Sequence, residues 1–382
     1  MIPYGRQSID QDDIDAVVEV LSSEFLTQGP AVERFESALG NRCKATHAVV
    51  VNSATSALHL AYLALGVGRG DVIWTSPITF VATANAALHC GADVDFVDID
   101  PGSGNMDVDA LERKLHESAA HGKIPRVVVP VHFSGLPCDM ERIGKLANEY
   151  GFRVVEDASH AIGARYLDEP VGNCAWSDIT VFSFHPVKII TSGEGGAALT
   201  QDAGLAQCMR ELRSHGVTRD PQGMESAAEG GWYYEQRSLG FNYRLTDIQA
   251  ALGLSQLNKL EEFILRRREL ANNYDSRLSS VPVQLPQRRQ YADSSWHLYV
   301  VHVPERKHVF DAMRAAGIGV NVHYIPVHLQ PFYRAKGFRA GDFPEAEKFY
   351  AHALSIPLFS SMTESEQLAV VEALEESVSG GR

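Results

Sequence analysis

Positive charge is in short supply in this 382-residue chain: 34 lysines and arginines stand against 48 acidic residues, a formal net charge of −14. A general nucleic-acid binder normally shows a basic face, so that function class is disfavoured. An anionic small substrate would need local positive charge at its site. Cysteine is sparse as well. Cys43, Cys90, Cys138, Cys174 and Cys208 are scattered and form no CxxC pair, which reads as free thiols in a reducing compartment rather than a disulfide framework or a zinc site. Also missing is an uninterrupted apolar run of the roughly 20 residues that a membrane-spanning helix requires. The opening MIPYGRQSIDQDDID is polar and acidic, unlike a secretory signal. Internal repeats and low-complexity tracts are lacking too. A cytoplasmic globular protein is expected.

What is present is a large apolar content, 45% of residues, in a chain long enough for about two domains. The first two-thirds alternate. HAVVV (47–51), DVIWTS, DVDFVDID, RVVVPVHF (126–133) and FRVVEDA (152–158) read as buried strands, with helical spacing in SALHLAYLALG, TFVATANAALHCG and ERIGKLANEYG between them. That alternation predicts an α/β fold with a mostly parallel, doubly wound sheet. Near residue 245 the pattern changes. One long helix is expected over TDIQAALGLSQLNKLEEFILRRRELANNYDSRL, followed by HLYVVHV, a helix around FDAMRAAG, IGVNVHYI and a terminal helix from about Glu364. The expected division is a large domain over 1–245 and a connecting helix with a smaller α/β domain over 246–382. Residues 217–238 read as a flexible insert.

Ligands of open parallel sheets gather at the carboxyl ends of strands. After HAVVV comes Asn52-Ser53-Ala54-Thr55-Ser56, opening a helix whose free N–H groups, with the hydroxyls of Thr55 and Ser56, suit a phosphate or simply cap the helix. After FRVVE comes Asp157, a helix cap or half of an ion pair when taken alone. The stretch SFHPVKIITSGEGG (183–196) carries Ser183 and a lone amine, Lys188, in a glycine-punctuated connection between two apolar strands, TVFSF and GAALT. Phosphate cup, buried carboxylate and lysine together match pyridoxal 5′-phosphate, which needs an amine to attach it, a carboxylate at its pyridine nitrogen and donors for its phosphate. Phe80 is the candidate aromatic face for the ring.

The motifs FLTQGPAVERFESAL, NSATSALHLAYLALG, EDASHAIGA, SFHPVKIITSGEGGAALT, LGFNYRLTDIQAALGLSQL, AGIGVNVHYIPVH and ALSIPLF run nearly end to end. In them the chain resembles the sugar aminotransferase family of pyridoxal-phosphate enzymes, with the aspartate-aminotransferase fold (fold type I). The resemblance implies Lys188 as the lysine that holds the cofactor and shuttles protons, and Asp157 as partner of the pyridine nitrogen. Thr55, Ser56 and Ser183 would hold the phosphate, Phe80 would stack on the ring, and His160 would sit beside it near its 3-hydroxyl. Asn242, in GFNYR, would reach the cofactor phosphate of the neighbouring subunit, the sites being built at the interface of a homodimer. Tyr4, His323 and Tyr324 would face the sugar nucleotide. No metal is implied, since His323 and His328 lack a carboxylate or cysteine at ligand spacing.

The reaction so implied is amine transfer from L-glutamate to a UDP-linked 4-keto-6-deoxy-N-acetyl hexose at C4. Other nucleotide keto sugars, a UDP-4-keto-pentose or a dTDP-linked one, stay open, as does a non-catalytic cofactor-binding protein. Relatives that dehydrate carry histidine in place of the lysine, and Lys188 argues against that branch. Carbon position, epimer and assembly beyond a dimer are not readable from the residues.

Overall fold

The computed structural model describes residues 1–379. Seven strands form one sheet: β1 (His47–Val51), β2 (Val72–Thr75), β3 (Asp93–Phe96), β4 (Val127–Val129), β5 (Arg153–Asp157), β6 (Ile179–Ser183) and β7 (Gly196–Thr200). Their order is β1-β7-β6-β5-β4-β2-β3. Strands β2 to β6 run parallel, and β7 is antiparallel to both neighbours. The strands are buried at nearly every position because both faces are covered. Val49, Val51, Val127 and Val129 turn to α3 (Ala54–Ala64), α4 (Ala82–His89) and α7 (Ala203–Arg213). Their sequence neighbours go to the other face. Val50 and Phe182 pack with α2 (Pro30–Cys43) and α8 (Asp247–Asn258), while Val128 and Val154 pack with α5 (Val108–Ala119) and α6 (Met140–Tyr150).

The long helix expected from Thr246 is two helices. After α8 the chain bends at Lys259 and resumes as α9 (Leu260–Arg277). No glycine or proline marks the bend. Lys259 is drawn onto α1 (Gln11–Leu21), where its amine lies 2.9 Å from the buried Asp13. Asp13 also accepts from Ser255 Oγ (2.6 Å) and Gln256 Nε2 (2.7 Å), so the last turn of α8 is bonded to the N-terminal helix.

Beyond α9 a second core forms. The antiparallel pair β8 (Tyr299–His302) and β9 (Ala353–Ile356) packs with α9, α10 (Arg306–Ala315) and α13 (Glu364–Ser379) through Tyr274, Met313, Leu354 and Val370. Two short helices, α11 (Pro331–Arg334) and α12 (Pro344–His352), connect these elements. The N-terminal segment crosses to this core, Ile2 bridging Ile318 and Tyr4 O accepting from Leu358 N–H at 3.1 Å. Within the expected strand HLYVVHV only residues 299–302 pair, because Trp296 is left-handed (φ 53°) and His297 and Leu298 remain loop. Residues 217–238 are pinned by a two-residue antiparallel pair, Val217–Thr218 with Glu235–Gln236.

Candidate active site

The carboxyl ends of β1, β2, β4, β5 and β6 open onto one cavity of about 910 Å³, a size suited to a cofactor together with a substrate. It is lined by Tyr4, Thr55, Ser56, Phe80, Asp157, His160, Ser183, Lys188, His323 and Tyr324. Ten of the eleven residues singled out from the sequence therefore meet. The eleventh, Asn242, is exposed on the loop entering α8, pairs with Ser214, and does not line this cavity.

At the start of α3 the capping role falls to Ser53, whose Oγ accepts from Ser56 N–H at 3.1 Å. Ser56 Oγ donates to Asn52 Oδ1 at 2.7 Å. Thr55, exposed at the cavity, keeps its hydroxyl free, and the first N–H groups of the helix point the same way. Strand β7 presses on this turn: a Cβ on Gly196 would stand 2.5 Å from Ala54 N and 2.6 Å from Ser53 C. Only glycine permits that approach, so the sheet itself seats the donor cup.

Asp157 ends β5, buried. Its Oδ2 accepts from Thr83 Oγ1 (2.7 Å) and its Oδ1 from Ser159 N–H (3.1 Å). Thr83 Oγ1 in turn lies 2.8 Å from Thr79 Oγ1. Lys188 follows β6 in a loop released by Gly193, left-handed at φ 82°. Protein surrounds its stem while the side chain keeps some surface toward the cavity. Burial pushes its amine down to about 8, against the opposing pull of Asp157.

Over this pair lie the rings. His160 Nδ1 accepts from Ser134 N–H (3.2 Å), so its proton sits on Nε2, which donates to Tyr324 Oη at 3.1 Å. Burial, then Lys188 and His323, hold His160 well below the usual imidazole range, and the ring is neutral. Burial followed by Asp157 raises the Tyr324 phenol, so it stays protonated with its O–H free to donate. His323 is bonded on both sides: Nδ1 lies 2.8 Å from Ser355 Oγ and Nε2 3.4 Å from Asn321 Nδ2. Burial and Lys188 lower it to about 3. Phe80 is 60% exposed, an unusual surplus for a phenylalanine, and stands 6.2 Å from the Tyr324 ring.

Four participants were not read from the sequence. Thr83, in the first turn of α4, anchors Asp157, and no local pattern announces that role. His297, Asn321 and Glu194 also line the cavity. The first two arrive from the C-terminal core, and no local pattern announces them.

The residues fit pyridoxal phosphate on their own chemistry: an uncommitted amine of lowered basicity, a buried carboxylate with one flank tied to Thr83, a free-donor cup made possible by Gly196, and an exposed aromatic face at the cavity.

Comparison with known proteins agrees with this chemistry. The model of the DegT/DnrJ/EryC1/StrS aminotransferase family matches residues 7–375. The UDP-4-amino-4,6-dideoxy-N-acetyl-beta-L-altrosamine transaminase of Campylobacter jejuni (serotype O:2) is 41% identical over 381 residues, 98% of this chain and 96% of that protein. Among solved structures, Helicobacter pylori PseC, an aminotransferase involved in the biosynthesis of pseudoaminic acid, superposes with a TM-score of 0.91 at 32% identity, covering 99% of both chains. Spr1654 of Streptococcus pneumoniae, in its PLP form, gives 0.89 at 28% identity over 99% of each chain.

Proposed function

The chain belongs to the DegT/DnrJ/EryC1/StrS aminotransferase family, a pyridoxal-phosphate-dependent sugar aminotransferase of fold type I, and from that premise we propose that it moves the amino group of L-glutamate to C4 of a UDP-linked 4-keto-6-deoxy-N-acetyl hexose. The product would be UDP-4-amino-4,6-dideoxy-N-acetyl-β-L-altrosamine, an intermediate of pseudaminic acid biosynthesis. The observation carrying this reading is 41% identity over nearly the whole chain to a transaminase of that name. With L-glutamate as donor, a panel of UDP- and dTDP-linked keto sugars should rank this hexose first by at least about tenfold in kcat/KM, the discrimination of roughly 1.4 kcal/mol. A pentose or dTDP sugar ranking higher overturns the substrate.

The bound cofactor supplies an electron sink for negative charge at the carbon that loses its proton. The chain's residues do the rest. Asp157, buried and fixed by Thr83 and Ser159, keeps a proton on the pyridine nitrogen. Lys188, with its basicity lowered to about 8, carries a useful free-amine fraction near neutral pH and takes the α-proton of the amino donor. Thr55, Ser56 and Ser183 would hold the phosphate, Phe80 would stack on the ring, and His160, bonded to Tyr324 at 3.1 Å, would sit beside it near its 3-hydroxyl, with Tyr324 also turned toward the sugar nucleotide. Tyr4 and His323 border the space left for the sugar nucleotide. In this reading residues 1–245 form the cofactor domain and 246–382 the smaller one, and the scattered free thiols accord with a cytoplasmic location.

Asn242 belongs to the same reading as a contact to the neighbour's cofactor in a homodimer, which its exposed position outside its own cavity allows. Asn242→Ala should weaken cofactor retention about ten- to hundredfold, the value of a hydrogen bond to a charged group. Mixed with Lys188→Ala, it should regain activity, since in a heterodimer one site recovers both residues and the other loses both. An inactive mixture with demonstrated subunit exchange would mean self-contained sites.

A further inference from the structure

Arg267, on α9, heads the fully buried side chains by size and is 1% exposed. No carboxylate is paired with it among the described residues; burial alone acts on it and lowers it to about 10, so it is charged at neutral pH. Its Nη1 donates to three main-chain carbonyls, Trp296 (3.1 Å), His297 (3.3 Å) and Leu358 (3.0 Å), while Nε is buried with no partner. A buried cation without a counter-ion is costly, and an apolar side chain of similar volume would fill the space without that cost. What the guanidinium secures is the loop before β8. From the opposite side the same loop is tied by Ser295, whose N–H bonds Gly135 O (3.0 Å) and whose Oγ bonds His160 O (2.7 Å). Clasped between the two, the His297 ring packs on the His160 ring, centroids 4.4 Å apart. Both rings line the cavity with Lys188, and His297 Nδ1 is buried with no hydrogen-bond partner.

We propose that Arg267 is a positioning residue for proton transfer at Lys188, acting through the His297–His160 pair that it holds in the wall of the cavity. The inference rests on the amine-transfer reading. Burial first, then His160, Lys188, Arg267 and His323, keep His297 far below the usual imidazole range. Every charged or titratable neighbour acting on it is a base, so the packed pair stays neutral and Lys188 is left as the group that titrates near neutral pH. If the three carbonyls lose their donor, the loop relaxes, His297 leaves His160 and reaches water, and its protonation places a second cation in the cavity.

The test reads the apoprotein first. In 15N-histidine-labelled chain, the His160 and His297 signals are identified by their loss in His160→Gln and His297→Gln. In the wild type both should stay neutral down to pH 5.5. In Arg267→Met the His297 midpoint should move up by at least one pH unit. In the holoenzyme, the half-reaction with the amino donor should slow at least tenfold in Arg267→Met, with KM changed less than threefold, and Arg267→Lys should recover part of the rate. Should Arg267→Met fail to fold, Arg267→Lys replaces it, with a smaller upward shift and a smaller slowing expected; in either background, adding His297→Gln, which removes the group that would gain the proton, should relieve the slowing. An unmoved His297 midpoint, or a slowing in the Arg267 variant that His297→Gln does not relieve, overturns the proposal. The titration needs no turnover, whereas a failure of the amine-transfer reading would appear as an inactive wild type.

Discussion

Lys188→Ala is expected to lose catalytic turnover by at least roughly 10³-fold while the chain remains folded, because in the proposed reading Lys188 supplies both the attachment of the cofactor and the base that moves the proton. Borohydride should fix the cofactor covalently to the wild-type chain and not to the variant, as read by intact mass. Many turnovers by the variant would reassign Lys188 to the bland role of a loop lysine. The same substitution has a stability signature whose sign follows from burial. The amine falls from its usual 10.5 to about 8 in the folded protein. Between those values the unfolded chain binds more protons, so wild-type stability rises with pH across that window. Lys188→Ala lacks this term. The stability difference between the two apoproteins should therefore move in the wild type's favour by about 2 kcal/mol between pH 7 and 10.5, the full shift being discounted for the side chain's opening onto the cavity. Urea unfolding at several pH values measures it, and a flat difference would mean that the amine is solvated.

Asp157→Asn should leave the fold nearly intact yet slow both half-reactions by about 10²–10³-fold, the scale of losing one preorganised charge at a reacting centre. Its neighbours can accommodate the amide: the carbonyl oxygen still accepts from Ser159 N–H, and the NH₂ donates to Thr83 Oγ1, which now bonds the Asp157 carboxylate at 2.7 Å. What would disappear is the negative charge proposed to hold a proton on the pyridine nitrogen. Stopped-flow absorbance with the amino donor, beside a thermal melt, separates the two effects. A rate within a few-fold of wild type would make Asp157 a strand-end cap and nothing more.

The sequence was most informative where a function is carried by neighbours in the chain. Valine-rich strands followed by polar turns place Thr55, Phe80, Asp157, His160, Ser183 and Lys188 at strand ends, and a parallel sheet gathers strand ends on one edge whatever the details of packing. That is why the cavity is legible in the sequence. Asn242 shows the limit of that logic: it lies outside its own cavity, and a residue whose expected partner is in another subunit has no local pattern to betray it.

The strands and helices of the large sheet, and the placing of Thr55, Asp157 and Lys188 at strand ends, were thus legible in the amino-acid sequence alone, since hydrophobic period and short-range turn chemistry dictate them. Tertiary structure decided the rest. It broke the expected long helix at Lys259, whose amine lies against Asp13. It turned β7 antiparallel, so that Gly196 meets the backbone of Ala54 and seats the cup. It brought His297 and Asn321 across from the C-terminal core, with a buried Arg267 holding the loop that carries His297. Each of these rests on contacts between residues far apart in the chain, and their energies exist only once the layers have packed.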